Sequence, residues 1–514
     1  MSGSSYDIAL IGMGPVGATA AIHFAAAGLS VAIFERDPDI YALPRAVAMD
    51  GEIVRLFQAI GRGEELASCL QKLRPGDRAG FANADREWLF GQDLSPTSVN
   101  GWQNLSMFDQ PEIEEYLRKT IAQYDTVDVF LGEEVEGFED QGDRVVLRSS
   151  EREVSCGYLV ACDGAASTTR KVLDLDWKDL GYDHDWLVVD VVINEKNTLN
   201  QDTVQVCAPL RLATYVVTKD PFRRWEFKLN PGETREQMLE DETIKKLIDP
   251  WTPRDSYTIR RKAVYQFHAA TAEAWRRGRV FIAGDAAHQT PPFLGQGMNA
   301  GMRDIFNLAW KLPLVLNGQC NEKLLDTYQS ERLAHAEDLV EWAVAIGELM
   351  QNVADVAAAE QAGDPPPPVL EQKKSAGYGQ GREAPPLRDG VLLLEQVSDN
   401  GSTGYLFSQP TVENQDGQRV MLDDLFGRGF ALVSRERLTL SDQSNAIIER
   451  LGITMVFLEG LREVDGHFDQ LFERSDAVIV RPDRYIFGHT GDDLDADQLI
   501  ALLAEKLYLL NLSA

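Results

Sequence analysis

A glycine-rich turn near the N-terminus constrains the fold of this chain more than any other feature. Residues 6–11 are mostly apolar and predict a strand, residues 18–27 are small and predict a helix, and Gly28 is suited to end that helix. A second predicted strand, residues 29–34, ends at Glu35. A strand, a GxGxxG turn, a helix, a second strand and a terminal acid together indicate a dinucleotide-binding unit.

The residues of this turn each have a physical role in such a unit. The first glycine permits the tight turn, the second lets the backbone approach a pyrophosphate, and the third lets the helix pack closely on the strand. The helix N-terminus offers free N–H groups and a positive dipole end to the phosphates. Glu35 can accept the ribose hydroxyls and would repel a 2′-phosphate, so we do not expect NADP at this turn, which does not itself separate FAD from NAD. The predicted contacts are Gly12, Gly14, Pro15, Val16, Gly17 and Glu35.

Two further motifs lie downstream. Residues 279–283 predict a strand that runs into GDAAH and then PPFLGQGMN, and residues 300–316 predict a long helix with apolar residues at helical spacing. Residues 158–170 predict a shorter strand that delivers Asp163 and Gly164 to a polar helix start. By itself this last segment is also compatible with an ordinary strand–turn–helix without a ligand.

In this order the three motifs resemble the class A, single-component FAD-dependent aromatic hydroxylases, the family of para-hydroxybenzoate hydroxylase and phenol hydroxylase. The resemblance implies FAD as cofactor, NADH or NADPH as co-substrate, and O2. It implies that Asp285 contacts the ribityl chain and that Pro292 lies beside the reactive carbon of the flavin. The remaining contacts that it implies are Arg36, Arg45, Ala46, Gln110, Val135, Asp163, Gly164, Gly295, Gln296, Gly297, Met298 and Asn299.

Some of these assignments have plain structural alternatives. Arg45 is equally compatible with a solvated charge, and Gln110 with a helix cap. His288 follows the GD motif, but a lone histidine is more often structural than a metal ligand. We see no metal-ligand cluster in the sequence and predict no metal site.

The resemblance also implies the domain organisation of an α/β protein with the para-hydroxybenzoate-hydroxylase-like fold. We predict a discontinuous, Rossmann-type FAD-binding domain, an antiparallel-sheet substrate domain that covers the flavin, and a proline-rich linker. A C-terminal domain follows that is similar to thioredoxin but lacks CxxC, which favours a structural or subunit-contact role, with a homodimer left open. The boundaries are 1–180 with 270–350, 181–269, 351–384 and 385–514.

Within the family, several segments are similar to the 3-(3-hydroxyphenyl)propionate hydroxylases, among them residues 186–191, 223–227, 291–298 and 328–332. This similarity implies ortho-hydroxylation of a phenolic ring with an acidic side chain, through a flavin C4a-hydroperoxide. Resorcinols, hydroxypyridines and hydroxyquinolines remain alternative substrates, because the matching segments are mostly scaffold and flavin positions.

Aromatic and polar residues on the predicted roof strands are candidates for the substrate pocket. We assign catalytic roles to Tyr265 and His268, which lie just before the GD strand, and to Pro292. We assign substrate contacts to three further aromatic residues, for all of which core packing is the alternative role. They are Trp186, Tyr215 and Trp225.

Charge and composition disfavour nucleic acids and membranes as partners. The net charge of -31 disfavours nucleic acid and anionic membranes, and no apolar run approaches the roughly 18 residues of a membrane helix. The five cysteines are scattered and have no CxxC spacing, which indicates reduced thiols in a cytoplasmic protein. The alternatives that remain are a non-hydroxylating FAD oxidoreductase, such as a halogenase or an alkene reductase, and a flavin-binding sensor without turnover.

Overall fold

The computed structural model describes residues 4–367, 384–397, 402–468 and 470–510. Its first sheet carries the glycine-rich turn and has a parallel core, buried on both faces by helices, as is usual for parallel strands. The central strands are mostly apolar, so they can be covered on both sides. In sheet order the strands are Arg276–Arg277, Val280–Ile282, Glu153–Ala161, Ser5–Ile11, Val31–Glu35 and Val127–Leu131. Val145–Ser149 pairs antiparallel with Glu153–Ala161, and Val135–Asp140 pairs antiparallel with Val145–Ser149.

Helices cover this sheet. Pro15–Ala26, which follows the glycine turn, packs against Gly297–Leu316 and against Gln110–Ile121. Near them lies a small three-stranded sheet of Ala48–Asp50, Leu105–Met107 and Gln71–Lys72. The other helices of this part of the chain are Gly51–Gln58, Gly63–Ser68, Thr168–Val172 and Thr327–Ala362.

The second sheet has eight strands and is antiparallel except between Thr203–Ala208 and Arg78–Ala82. One face packs on the helices Arg235–Met238 and Asp241–Ile248, and the other faces the nucleotide-binding half. In order the strands are His288–Gln289, Tyr257–Ala272, Trp177–Ile193, Phe222–Lys228, Arg211–Val217, Thr203–Ala208, Arg78–Ala82 and Trp88–Asp93.

The structure differs from the predicted boundaries at two places. Residues 78–93 belong to the second sheet, although the prediction put them in the first domain, because their pairing partner lies more than a hundred residues further along the chain. The predicted linker, 351–384, begins inside the helix Thr327–Ala362, whose alanine-rich end keeps its helical hydrogen bonds up to Gly363. Of that linker, residues 368–383 lie outside the described residues.

The C-terminal region has the predicted thioredoxin-like form. A four-stranded sheet packs against the helices Asp442–Leu451 and Ala496–Lys506, and a small three-stranded sheet lies beside it. In order the two sheets are Thr454–Phe457, Ala431–Ser434, Ala477–Val480 and Ile486–His489, and Arg419–Met421, Thr411–Glu413 and Arg462–Asp465.

Buried ion pairs join this region to the rest of the chain. Arg55 binds Asp423 at 2.7 Å, and Arg484 reaches the same carboxylate at 2.8 Å. Arg481 binds Glu331 of the long helix at 2.6 Å, and all of these side chains are buried. Burial alone would raise the pKa of Glu331, but the charges of Arg481 and Lys311 outweigh it and lower the pKa to about 2. The C-terminal region therefore contacts the rest of the chain through a desolvated interface of buried ion pairs.

Candidate active site

The glycine turn is shaped both for close packing and for a ligand. Gly12 has φ +94°, and a Cβ there would lie 2.5 Å from the carbonyl oxygen of Cys162. A Cβ on Gly17 would lie 2.0 Å from the carbonyl oxygen of Gly12, whereas a Cβ on Gly14 would meet nothing within 4 Å. Gly12 and Gly17 are therefore required by the fold, and the space above Gly14 is free for a bound group.

The helix Pro15–Ala26 begins at this space. Its N-cap, Gly14, offers no side-chain cap, and its first turn contains no acidic residue. Its first N–H groups and its positive dipole end are thus left for an anion, as a dinucleotide pyrophosphate requires. Gly14, Pro15 and Val16 line a cavity of about 570 Å³.

Glu35 has a local role besides the one predicted. Its carboxylate accepts hydrogen bonds from the backbone N–H groups of Met13, at 2.7 Å, and Asp37, at 3.0 Å, so it holds the turn in place. The neighbouring Arg36 is exposed, with Asp37 at 3.7 Å. Val135 is half-buried at the start of its strand. In the described part of the chain, none of Glu35, Arg36 and Val135 lines the cavity.

Gln110 positions the loop that crosses the cavity. Its side-chain oxygen accepts from the backbone N–H groups of Arg45, at 2.8 Å, and Ala46, at 2.7 Å, and its amide nitrogen donates to Glu114 at 2.7 Å. Gln110, Arg45 and Ala46 all line the cavity, as the resemblance implies for flavin contacts. The hydrogen bonds to a loop 64 residues away are a function that the sequence did not indicate.

The DG motif leaves a polar atom without a partner. Asp163 accepts the backbone N–H of Thr169 at 3.0 Å through one oxygen, while the other oxygen is buried and makes no hydrogen bond to the described residues. Cys162 and Gly164, on either side, line the cavity. A buried carboxylate oxygen without a donor is costly, so a ligand that brings a hydroxyl or an N–H group would relieve it.

The GD motif divides into residues that face the cavity and residues that lie behind it. Asp285 faces the cavity, and desolvation by the surrounding protein raises the pKa of its carboxyl group. The other predicted contacts of this motif that line the cavity are Pro292, Gly295, Gly297 and Met298, and Gly284, Phe293 and Leu294 line it as well.

Gln296 and Asn299 do not line the cavity and instead stabilise the loop from behind. Gln296 donates to Asp50 at 2.8 Å and accepts from Arg303 at 2.8 Å. Asn299 donates to the carbonyl oxygen of Gly295 at 2.9 Å and accepts the backbone N–H of Asp50 at 3.1 Å. Both are therefore positioning residues in this structure rather than ligand contacts by their side chains.

His288 lies in the buried support of the same motif. Its ring nitrogen is 2.8 Å from Asp304, whose carboxylate also binds Arg332 at 3.0 Å and accepts the backbone N–H of Gly284. This arrangement fits the structural role that a lone histidine usually has. Within the described ranges, no group of three or more histidine, cysteine or acidic side chains is placed to hold a metal ion.

The roof of the cavity is the second sheet, and its alternation decides which side chains enter. Successive residues of a strand point to opposite faces. On Phe222–Lys228, Arg224 and Glu226 face the cavity, while Trp225 points to the opposite face, into the core with Tyr215. Trp186 is buried at the end of the cavity, stacked on Phe267.

The three predicted substrate contacts, Trp186, Tyr215 and Trp225, are therefore core residues in this structure and do not line the cavity. Tyr215 and Trp225 lie on the core face of the sheet, where large aromatic side chains are readily buried. Trp186 lies on the same face as Val188, which lines the cavity, but it is buried against Phe267 and Phe293. For Tyr215 and Trp225, the signal that was missed is the polar residue next to each, since Thr214 and Glu226 alternate with them along the strands and line the cavity.

A row of charged residues fastens the roof to the loop below. Asp190 binds Arg224 at 2.7 Å and Arg261 at 3.1 Å, and all three are buried. Arg224 also donates to the backbone carbonyls of Pro44, at 3.0 Å, and Arg45, at 2.7 Å. Asp190 thus aligns two arginines that clamp the Arg45 loop against the sheet.

Tyr265 and His268 line the cavity, as predicted, and lie on the strand that also carries Arg261. The Arg261 guanidinium donates a hydrogen bond to the Tyr265 hydroxyl. The hydroxyl proton of Tyr265 is then left to be donated to a ligand. The catalytic roles of these residues and of Pro292 remain predictions.

The donor groups of this cavity fit a flavin dinucleotide. The uncapped helix suits the pyrophosphate, and the open space above Gly14 admits it. The orphaned oxygen of Asp163 and the carboxyl group of Asp285 can accept hydroxyl donors. A dinucleotide turn joined to a cavity under an antiparallel roof defines the class of flavoprotein monooxygenases.

Comparisons with known proteins establish the family. The family described as FAD binding domain matches residues 5–343, and the HcaD C-terminal domain matches residues 404–506. The 3-(3-hydroxy-phenyl)propionate/3-hydroxycinnamic acid hydroxylase of Burkholderia cenocepacia is 33% identical, over 94% of each chain. Its namesake from Klebsiella pneumoniae is 30% identical, over 98% of this chain and 95% of its own. The chain belongs to the single-component FAD-dependent aromatic hydroxylases.

Solved structures share the fold. Aklavinone-11 hydroxylase, in complex with FAD and aklavinone, has a TM-score of 0.81 at 24% identity, over 99% of this chain and 100% of its own. The flavin-dependent monooxygenase PieE, in complex with FAD and substrate, has a TM-score of 0.78 at 20% identity, over 98% and 99%. The protein is a flavoprotein aromatic monooxygenase with FAD as cofactor, and NAD(P)H is the typical co-substrate of its class. Among the helices of the described residues, none has the length and apolarity to cross a membrane.

Proposed function

We propose that this enzyme hydroxylates a phenolic ring ortho to its hydroxyl group, with a substrate of the 3-(3-hydroxyphenyl)propionate type. The observation that carries the proposal is the cavity, which joins the dinucleotide turn to a roof with polar side chains. Relatives that align over 94% of this chain are named for 3-(3-hydroxyphenyl)propionate and 3-hydroxycinnamic acid. Both compounds are phenols with an acidic side chain.

A phenol without an acidic side chain is the second candidate, and one observation favours it. A carboxylate binds best to a cation without a partner, but Arg224 and Arg261 share the carboxylate of Asp190, and Arg78 is bound to Asp202 at 2.6 Å. A neutral phenol would leave these pairs undisturbed, whereas a carboxylate would have to compete for one of the arginines.

The protein's own part in the reaction is to bind, orient and exclude water. When bound, FAD supplies the redox chemistry that takes electrons from NAD(P)H and activates O2. Tyr265, held by Arg261, can donate its hydroxyl proton to an oxygen atom of the substrate, and His268 can contact the ring from the same strand. Apolar side chains such as Val188, Leu105 and Met107 complete the lining and keep the reacting region poor in water.

We also propose a cytoplasmic location and no nucleic-acid or membrane partner. The five free cysteines support the location, because thiols persist in a reducing compartment. The net charge of -31 supports the lack of these partners. A homodimer that uses the C-terminal domain is the assembly we propose, and gel filtration of the full chain beside a chain that ends near Ala384 tests it. An unchanged oligomer size would remove the contact role.

The function is tested with a panel of phenols, each in a version with and a version without an acidic side chain. A substrate should speed NADH or NADPH oxidation and yield a product heavier by one oxygen atom. Stimulated oxidation that yields only hydrogen peroxide, with every phenol, would refute the hydroxylase assignment. The same panel separates the two candidates, because only one version of each pair should give coupled product.

A further inference from the structure

Glu226 is a buried acid of the roof sheet that faces the cavity. It lies on the cavity face of Phe222–Lys228 and is 4% exposed. Throughout the described residues, its carboxyl group has no ion pair and no side-chain hydrogen bond, and only burial and nearby charges shift its pKa. A carboxyl group left without a partner in a cavity is costly unless a ligand provides the donor.

The neighbouring groups do not neutralise Glu226. On its own strand, Arg224 is engaged by Asp190 and by two backbone carbonyls. On the strand Tyr257–Ala272, Arg261 binds the same Asp190. Directly across from Glu226, Thr214 donates its hydroxyl to Gln205 at 2.6 Å, so it is not available either. The ionisable groups near enough to act on Glu226 are Arg224, Asp190, Arg261 and Tyr182.

This environment brings the pKa of Glu226 close to neutral pH. Burial raises the pKa of Glu226 to about 7, with the arginine charge of Arg224 opposing and the carboxylate of Asp190 adding to the shift. A proton acceptor works best when its pKa lies near the working pH. The neighbouring core aromatics, Trp225 and Tyr215, pack against each other on the opposite face of this part of the roof.

We propose that Glu226 accepts a hydrogen bond from the phenolic hydroxyl of the substrate and takes its proton while the ring is hydroxylated. The inference rests on the proposed function. In this step the O–H bond of the phenol breaks and an O–H bond forms on the carboxylate of Glu226. The bonding electron pair stays on the phenolic oxygen, and no electrons pass to Glu226. The inserted oxygen atom comes from O2 through the cofactor, and the proton returns to solvent when the product leaves.

The proton has a reason to leave by this route. As the ring attacks the oxygen donor, positive charge develops on the phenolic oxygen and makes its hydroxyl more acidic. A carboxylate in a water-poor cavity stabilises that charge more strongly than it would in water. The acid also gives specificity for a hydroxyl donor, because a substrate without one would leave Glu226 unsatisfied.

Three variants of the full-length, FAD-loaded enzyme test the proposal. Glu226→Gln keeps the shape and removes the ionisation, Glu226→Asp keeps the ionisation, and Glu236→Gln makes the same chemical change at an exposed position of the next helix. The experiment uses a phenol that the wild type hydroxylates. It measures the rate of flavin reduction by NADH and the rate of product formation from about pH 5 to about pH 9.

Product formation by the wild type should rise with pH through about 7. Glu226→Gln should form product about 100-fold more slowly or worse, without that step in its pH profile, while its flavin reduction is unchanged. Glu226→Asp should retain the step, and Glu236→Gln should match the wild type. If Glu226→Gln does not fold with FAD, the wild type and Glu226→Asp still test the inference. It is overturned if the rate of product formation by both enzymes does not change with pH through neutrality.

The failure of the inference and the failure of the proposed function give different results. A wild type that hydroxylates phenols beside a Glu226→Gln variant of equal rate at every pH refutes the role of Glu226 alone. A wild type that hydroxylates no phenol in the panel refutes the proposed function, and the inference falls with it.

Discussion

Replacing Gly14 by alanine should weaken FAD binding without weakening the fold. Gly14 has φ -67° and ψ -178°, a conformation open to any residue, and its added Cβ would meet no protein atom within 4 Å. The loss of glycine flexibility in the unfolded chain stabilises by about 0.4–1 kcal/mol, and a less favourable N-cap costs a similar amount. The free energy of unfolding of the apoprotein should therefore change by less than about 1 kcal/mol.

The effect on the cofactor follows from the same methyl group. It would occupy the space in which the pyrophosphate approaches the first N–H groups of the helix Pro15–Ala26. Losing one hydrogen bond to a charged group costs about 1.5–3 kcal/mol, which corresponds to an affinity weaker by about 10- to 150-fold. Titration of the apoprotein with FAD, followed by the quenching of flavin fluorescence, measures this change.

Gly17 provides the contrasting substitution. Its added Cβ would lie 2.0 Å from the carbonyl oxygen of Gly12, so Gly17→Ala must displace the helix from the strand. We expect Gly17→Ala to lower the free energy of unfolding of the apoprotein by about 1–3 kcal/mol. The reasoning is refuted if Gly14→Ala binds FAD as tightly as the wild type, or if it unfolds as easily as Gly17→Ala.

Three further predictions concern stability and turnover. Asp423→Asn leaves Arg55 and Arg484 buried without their anion. It should lower the free energy of unfolding by about 3–5 kcal/mol, and an unchanged midpoint of urea unfolding would contradict a desolvated interface. Tyr265→Phe should lower product formation more than flavin reduction, and full coupling of NADH oxidation to product would discard that role. The pKa of Glu226 is raised to about 7 in the folded protein, so its charge lowers stability as pH rises from about 4.5 to about 7. Glu226→Gln should then stabilise the apoprotein by up to about 3 kcal/mol at pH 8 and by little at pH 5, and an equal gain at both pH values would rule out the ionisation as its cause.

The amino-acid sequence by itself determined the class of this protein. The GxGxxG turn, the DG segment and the GD segment are local patterns, in which neighbouring residues fix the turn geometry and the start of a helix. Gly12, Gly14, Asp163 and Asp285 could therefore be assigned to one cofactor site, which stays a prediction, whereas the fold and the family are confirmed. The buried strands of the C-terminal domain were also predictable, because they are continuous apolar runs, and the thioredoxin-like form followed from the resemblance.

Only the tertiary structure decided which residues face the cavity. The alternation of Trp225 and Glu226 is visible in the sequence, but a strand covered on both sides does not reveal which face is the core and which is the cavity. The strand Arg78–Ala82 joins the roof through a partner, Thr203–Ala208, far along the chain, and no local pattern encodes such a pairing. The burial that leaves Glu226 without a partner likewise arises from three strands and their charges together, so it exists only in the folded protein.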